Sequence, residues 1–290
     1  MLNASLAAAL GVLAALALWQ LYRKSRDPYG LFHLELNTPP AQWLNMGLWR
    51  DENEDSDFTR ACEALALKVA RAAHCVPGGR VLAPDVGHAC GDSLLLHLTG
   101  ADLPQPASLT GITSLSVQHD RARSRVKATG TSIPVELFVG DAIYRRGERH
   151  PFAPGHERSY TSILAIDCAY HFDTRNIFLQ QAFVGLAPGG YVSLADLAVD
   201  PLPPFLVRVL LSVLVGVRLA NMCTPHDYAA TLRQIGYVDV QVEDISAQVF
   251  PGFISFLQSK GGAWKVFALM PTLWTRWGGR FVLVSARKPS

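Results

Sequence analysis

Short apolar segments alternate with helical patterns through most of this chain, and that alternation limits the folds open to it. The predicted strands cover 80–86, 108–113, 135–139, 162–167, 190–197, 238–244 and 281–286. The predicted helices cover 57–75, 116–128, 174–187 and 225–235. Such an order predicts an α/β fold, a doubly wound, Rossmann-like sheet with mostly parallel strands. Because the last two strands have only an irregular link, we predict an antiparallel last strand.

An uncharged apolar run at 4–21 precedes this region. As a helix it would rise about 27 Å, enough to cross a thin bilayer. Aromatic and basic residues follow it: Trp19, Tyr22, Arg23, Lys24 and Arg26. Positive charge after the run predicts a single-pass transmembrane anchor at 1–26 with the following domain in the cytosol, most simply at the endoplasmic reticulum. The alternative is a cleaved signal peptide, which usually carries its charge before the apolar run.

Composition narrows the possible functions. Hydrophobic residues make up 49% of the chain and charged residues 17%, which is apolar for a protein without a membrane association. The formal net charge is +2, and no dense Lys/Arg stripe is present, so we predict no nucleic-acid partner. The five cysteines lie far apart without CxxC or Cys/His spacing. We therefore predict neither a disulfide framework nor a metal site.

A glycine-rich turn follows the first predicted strand. Asp85 is followed at alternate positions by Gly87, Ala89 and Gly91. A turn of this kind lets a ligand approach backbone N–H groups and a helix N-terminus closely. The frame resembles the first motif of the class I S-adenosylmethionine-dependent methyltransferases, an acidic residue followed by x-Gly-x-Gly-x-Gly. It departs from that motif at Ala89, and the Ala83-Pro84 pair is interposed before it.

Further matches follow in the family's order. Residues 111–118, GITSLSVQ, resemble a stretch of the tocopherol and sterol methyltransferase branch. That resemblance implies that Thr113 and Ser114 lie at the cofactor ribose. Gly140, Asp141 and Ala142 resemble the family's motif beside the adenine.

Two more segments complete the resemblance, which spans about residues 42–245. The turn at 186–190, LAPGG, resembles the common Leu-x-Pro-Gly-Gly turn. The segment at 44–49, LNMGLW, resembles one that closes over the cofactor in small-molecule members, and it implies a cofactor contact for Trp49. We assign Asp167, at the end of the fourth strand, to the cofactor side as well, with a strand-end cap as the alternative.

The chemistry of methyl transfer requires mainly positioning, together with a base when the acceptor has a proton to lose. His171 is the candidate base, because it follows the fourth strand at the edge where this fold places its substrate. Tyr170 flanks it. The alternative is that His171 has only a structural hydrogen bond.

Two apolar insertions at 201–222 and 249–276 suggest the type of acceptor. Both contain cations among aliphatic and aromatic residues, a mixture that favours a bilayer surface. We predict that they form a lid admitting a lipid-soluble acceptor from the membrane. Ordinary packing of these helices against the sheet is the alternative.

The predicted organisation is an anchor at 1–26, a connector and cofactor-capping segment at 27–56, and a methyltransferase domain at 57–290. The predicted function is S-adenosylmethionine-dependent methyl transfer to a hydrophobic small-molecule or lipid acceptor at a membrane surface. A catalytically silent, membrane-bound binding or scaffold protein is the alternative, favoured by Ala83-Pro84 and Ala89. A nucleotide-dependent oxidoreductase is a weaker option, since its Gly-x-Gly-x-x-Gly spacing and Tyr-x-x-x-Lys pair are missing. The acceptor's identity and the oligomeric state stay open.

Overall fold

The computed structural model describes residues 44–49, 57–84 and 103–290. The strands are β1 (Arg80–Pro84), β2 (Ser108–Thr113), β3 (Val135–Val139), β4 (Tyr160–Ile166), β5 (Leu186–Val199), β6 (Val238–Asp244) and β7 (Gly279–Arg287). The helices are α1 (Phe58–Ala72), α2 (Ser116–Thr129), α3 (Arg175–Gly185), α4 (Phe205–Val215), α5 (Pro225–Ile235), α6 (Ser246–Lys260), α7 (Gly262–Phe267) and α8 (Leu269–Arg276), with short 3-10 turns η1 (Ala169–His171) and η2 (Leu219–Asn221).

The strands form a seven-stranded sheet in the order β3-β2-β1-β4-β5-β7-β6. Strands β1 to β5 pair in parallel, whereas β7 is antiparallel to both β5 and β6. This confirms the predicted doubly wound, mostly parallel sheet and its antiparallel last strand. Because β1 to β5 run the same way, their carboxyl ends meet at one edge of the sheet.

Pro84 is the last residue of β1. A proline has no N–H for a sheet ladder, so it is poorly placed between two paired strands. Strand β1 pairs with β4 at Val81 and Leu82, and Pro84 pairs with Ile112 of β2. The proline therefore follows the residues of β1 that pair with β4.

Helix α1 shows how local sequence sets an element and how the element then packs. The Asp57 side chain caps it by accepting the backbone N–H of Thr59. Phe58, Leu65 and Val69 are among the residues that form its buried face. The helix ends at Ala72, three residues before the predicted end, ahead of the turn that leads into β1. It packs with α6 and α8 on one face of the sheet, while α3 and α5 cover the other.

Both apolar insertions lie at the carboxyl edge. Helix α4 follows β5, and α6 to α8 fill the link between β6 and β7, whose first residue Gly279 pairs with Val199, the last residue of β5. Buried aromatic side chains face inwards from these helices: Phe250, Phe253, Phe256 and Trp274. The inward faces therefore belong to the core, as the packing alternative expected, and only the outward faces remain for a lid.

Two predicted segments fall outside the described residues: the anchor at 4–21 and the glycine turn at 85–91. Within the described ranges, no helix is long and apolar enough to cross a membrane.

Candidate active site

Asp167 fixes the segment 44–49 over the carboxyl end of β4. Its backbone N–H donates to the Ala195 carbonyl at 2.8 Å, and its φ is +54°. One carboxylate oxygen, Oδ2, accepts the backbone N–H of Met46 at 2.8 Å. This bond joins positions far apart in the sequence, so Asp167 both ends its strand and holds the predicted cofactor-capping segment.

Short-range bonds give that segment its shape. The Asn45 side chain accepts the Gly47 N–H and donates to the Cys62 carbonyl of α1. Gly47 has a φ of +75°, and a Cβ there would come within 2.8 Å of Ala61. Glycine is required at this position both for the left-handed backbone and for the close approach to α1.

The Trp49 side chain lies against helix α6. Its indole N–H donates to the Met46 carbonyl at 2.9 Å, and its ring centroid lies 5.7 Å from that of Phe256. A Cβ added at Gly252 would overlap the Trp49 ring, so the absence of a side chain at Gly252 makes the room for it. The indole nitrogen that could have faced a cofactor is therefore used within the segment.

We expect Asp167→Ala to lower the free energy of unfolding by about 1–3 kcal/mol, because the Met46 N–H would be left partly buried without its acceptor. Asp167→Asn keeps an acceptor oxygen and should cost less. Urea denaturation of the three proteins measures the difference. Equal destabilisation by Asn and Ala would show that the Met46 bond is not what Asp167 contributes.

A buried polar pair stands at the end of β2. The Thr113 hydroxyl donates to Gln118 Oε1 at 2.8 Å, and Gln118 is only 1% exposed. The amide nitrogen of Gln118, Nε2, has no hydrogen-bond partner in the described part of the chain. A buried donor without an acceptor is costly, so this nitrogen needs an oxygen acceptor that the described residues do not supply. Ser114, in contrast, is exposed.

Gln118 received no role from the sequence, although it lies within the 111–118 motif. The structure, not the sequence, identifies it, because Gln118 is one of the two buried residues of the polar helix α2. A polar side chain on the buried side of a helix needs a hydrogen-bond partner there, and Thr113 supplies one for its Oε1.

Asp141 is held in a tight turn after β3. Its Oδ1 accepts the N–H of Ile143, and its carbonyl accepts His150 Nε2 at 2.9 Å. His150 Nδ1 in turn accepts the N–H of Phe152 at 3.0 Å. Gly140 donates its N–H to the Thr113 carbonyl, which joins the ends of β2 and β3. Ala142 is buried beneath this turn.

The ring of His150 is neutral in this arrangement, because one nitrogen donates and the other accepts. Burial lowers the pKa of His150 from its ordinary value of 6.5, and the hydrogen bond to the Asp141 carbonyl acts in the opposite direction. Below about pH 6.5 the unfolded chain therefore binds more protons than the folded one, so stability falls as the pH drops from there towards the folded pKa.

We expect the urea midpoint of the wild-type protein to fall between about pH 7 and pH 5.5, and His150→Gln to remove part of that fall. His226→Gln, at an exposed histidine of α5, is the matched control. Identical pH dependence in all three proteins would contradict a role for His150 in holding the Asp141 turn.

Tyr170 and His171 lie together in η1, directly after β4. Their ring centroids are 4.2 Å apart, and Tyr170 is buried. His171 Nδ1 lies 2.9 Å from the Gly216 carbonyl oxygen at the end of α4. A carbonyl only accepts, so Nδ1 carries the hydrogen, and in the neutral ring Nε2 is the nitrogen with a lone pair.

The structure thus brings most predicted site residues to one edge. Thr113 is the last residue of β2, and Asp141, Asp167 and His171 follow β3 and β4, so the four lie on both sides of β1 in the sheet. Four predicted cofactor residues, Asp85, Gly87, Ala89 and Gly91, follow β1 directly in the sequence but lie outside the described residues.

Comparison with known proteins finds methyltransferases among the sequence relatives. No protein-family model matches the chain. The chain is 25% identical to the erythromycin 3''-O-methyltransferase of Saccharopolyspora erythraea over 227 residues, which cover 76% of this chain and 69% of that protein. It is 28% identical to the O-methyltransferase rstn1 of Aspergillus nomiae over 210 residues, which cover 71% and 84%.

The fold is also that of a solved structure. The geranyl diphosphate C-methyltransferase of Streptomyces coelicolor, crystallised with S-adenosyl-L-homocysteine, matches with a TM-score of 0.69 at 13% identity. The match covers 88% of this chain and 92% of that one.

Proposed function

We propose that this chain, which is a class I S-adenosylmethionine-dependent methyltransferase, methylates a hydroxyl group of a hydrophobic small molecule taken from a membrane surface. The observation that carries the proposal is the apolar, cationic outer surface of α4, α7 and α8, beside the edge where the site residues meet. The O-methyltransferase names of the two sequence relatives support a hydroxyl acceptor.

The donor set at the end of β2 fits the cofactor. We propose that Gln118 Nε2 donates to a ribose hydroxyl oxygen, with Thr113 orienting the amide through its Oε1. Asp141 would line the adenine side, and the segment held by Asp167 would cover the cofactor. The turn with Gly87 and Gly91 would approach its methionine part. When bound, S-adenosylmethionine supplies an electrophilic methyl group on its sulfonium sulfur.

His171 would take the proton that a hydroxyl acceptor loses. Its Nε2 has the lone pair, because Nδ1–H is held by the Gly216 carbonyl. Tyr170, packed against the imidazole, would shape the acceptor pocket and exclude water. General-base assistance of this kind typically contributes about 10²- to 10⁴-fold to a rate.

The outward side of the lid helices α4, α7 and α8 exposes large apolar side chains. Leu206 is 79% exposed and Phe205 62% exposed on α4, and Val266 and Leu269 are exposed on α7 and α8. Inserting a side chain such as Phe or Leu into an apolar phase contributes about 1.5–3 kcal/mol each. Two such residues on one helix would suffice for reversible membrane contact.

The charge of the same segments selects the kind of membrane. Neither 201–222 nor 249–276 contains an acidic residue. Their cations are Arg208, Arg218, Lys260, Lys265 and Arg276, of which Arg218 lies 3.5 Å from the Asp173 carboxylate and is already paired. Each basic residue near an anionic leaflet contributes about 1 kcal/mol. We propose that this surface rests on an acidic bilayer, and the predicted anchor at 4–21 would hold the domain beside that bilayer.

We expect a fluorophore attached at Leu206→Cys of the full chain to be quenched by nitroxide-labelled lipids in acidic vesicles. The same label at Val184→Cys is the matched control, because Val184 is 53% exposed on α3 at the opposite edge of the sheet. The difference between the two labelled proteins removes the background from native thiols. Equal quenching at both positions would contradict the proposed surface.

Transfer itself can be followed before the acceptor is known. The protein is incubated with S-adenosylmethionine carrying a tritiated methyl group and with an organic extract of membranes. We expect tritium in an organic-soluble product. Tritium that stays in the aqueous phase with every extract would contradict a hydrophobic acceptor and favour the catalytically silent alternative.

A further inference from the structure

We infer that Asn221 is a positioning residue, which with Arg218 clamps η1 to the end of α4 so that the Gly216 carbonyl holds His171 as its Nδ1–H tautomer. The inference rests on the proposed role of His171 as the base, and it names the residues that make Nε2 the proton acceptor.

Both polar atoms of the Asn221 side chain form hydrogen bonds to the connection between β4 and α3. Its amide nitrogen donates to the carbonyls of Tyr170 at 3.0 Å and Phe172 at 2.8 Å, with a longer contact to Ala169 at 3.4 Å. Its Oδ1 accepts the backbone N–H of Arg175 at 2.9 Å. The residue is 1% exposed. One side chain therefore fixes the backbone on both sides of His171.

Arg218 adds a second attachment from the same segment. Its Nε donates to the His171 carbonyl at 2.9 Å, and its backbone N–H donates to the Tyr170 carbonyl at 3.2 Å. Unlike Asn221, the Arg218 side chain is half exposed. It can therefore be changed without opening the core.

Gly216 forms the third contact with η1, at the carboxyl end of α4. It is the C-cap of α4 in a left-handed conformation, with φ +80°. That conformation suits glycine. Its carbonyl accepts the imidazole N–H at 2.9 Å. Residues 216–221 thus contact the base at its ring and at its backbone.

The clamp determines which ring nitrogen of His171 carries the hydrogen. With η1 clamped, the ring cannot turn to place Nε2 against the Gly216 carbonyl, so the lone pair stays on Nε2. If the clamp is loosened, the Nδ1–H bond to the Gly216 carbonyl weakens and the tautomer ratio shifts. Losing that bond would raise the ratio of Nε2–H to Nδ1–H by about 3- to 10-fold. The base would then spend part of its time with a hydrogen where the acceptor's proton must go.

Nitrogen NMR of ¹⁵N-histidine-labelled full-length protein reports the tautomer without any assay of transfer. We compare the wild type with Arg218→Gln, which removes the Nε donor together with the ion pair to Asp173, and with Asn221→Asp, which keeps the acceptor for Arg175 but loses the amide donors. Arg233→Gln, at an exposed arginine of α5, is the matched control. The His171 signal is assigned by its loss in His171→Gln.

We expect the Nδ1–H form in the wild type and the control, and an increased share of Nε2–H in Arg218→Gln and Asn221→Asp. A wild type in the Nε2–H form would overturn the inference, and so would an unchanged tautomer ratio in a folded Arg218→Gln. If Asn221→Asp does not fold, Arg218→Gln decides alone. A tautomer as inferred, combined with normal transfer by His171→Gln, would leave the clamp intact and overturn only the role of His171 as base.

Discussion

Replacing Asp196 by alanine should lower the free energy of unfolding by about 3–5 kcal/mol, because it would leave the Arg175 guanidinium buried without its counter-charge. The Asp196 side chain is 0% exposed and that of Arg175 5%. Arg175 Nη1 lies 2.8 Å from Asp196 Oδ2, which also accepts the Tyr228 hydroxyl at 2.9 Å. Burial raises the pKa of Tyr228 well above its ordinary value, so this hydroxyl stays a neutral donor.

The matched control is an ion pair of similar geometry at the surface. Asp239 pairs with Arg287 and is about half exposed. Asp239→Ala should cost less than about 1 kcal/mol, as exposed pairs usually do. Urea denaturation at neutral pH compares the two variants. Similar losses for both would contradict the view that burial makes the Arg175 pair important.

Replacing His171 by glutamine should lower the rate of methyl transfer by about 10²- to 10⁴-fold at neutral pH. Glutamine keeps a donor for the Gly216 carbonyl but has no basic nitrogen. The affinity for S-adenosylmethionine should stay within a few-fold, because His171 is not among the proposed cofactor contacts. The rate is measured as tritium transferred to the organic phase, and the affinity by calorimetry.

His226→Gln serves as the control for removing a histidine elsewhere. If His171 is the base, transfer by His171→Gln should recover as the pH is raised, because the acceptor hydroxyl then loses its proton to water. A rate that falls less than about threefold at every pH would contradict the role, since even weak general-base catalysis exceeds that.

The sheet was predictable from the sequence because its signals are local. Apolar runs of the right length, separated by helical spacing, identified every strand in the described part of the chain, and three of them have the predicted bounds: 108–113, 135–139 and 238–244. The start of β1 also agrees with the prediction, and the remaining described strand ends differ by a few residues. Strand β5 is extended through Val199 by its antiparallel pairing with β7, a contact between positions some 80 residues apart for which no local pattern exists.

The network behind the site was not predicted, for the same reason. Arg175, Asp196 and Asn221 come from three separate elements and are joined only by the tertiary fold. One signal was present: Asp196 is the one charged residue in the predicted apolar strand 190–197. Charged residues are almost never fully buried unless they are paired, so this position indicated a buried cation nearby.

The composition of the lid helices did not show which of their apolar side chains face outwards. Hydrophobicity alone could not separate the inward Phe253 from the outward Leu206, because both lie in apolar helices. The fold decides between them, since the sheet covers one side of each helix. The cations and missing acids, in contrast, could be read directly from the sequence, and they support the proposed membrane surface.

Calorimetric titration of the full-length protein with S-adenosylmethionine and with S-adenosylhomocysteine tests the central claim most directly. We expect saturable binding of both, weakened by roughly 3- to 10-fold in Gln118→Ala, which removes the buried amide. We expect no such binding of NADPH. Absence of binding to both adenosyl compounds, by protein that unfolds cooperatively, would contradict the account.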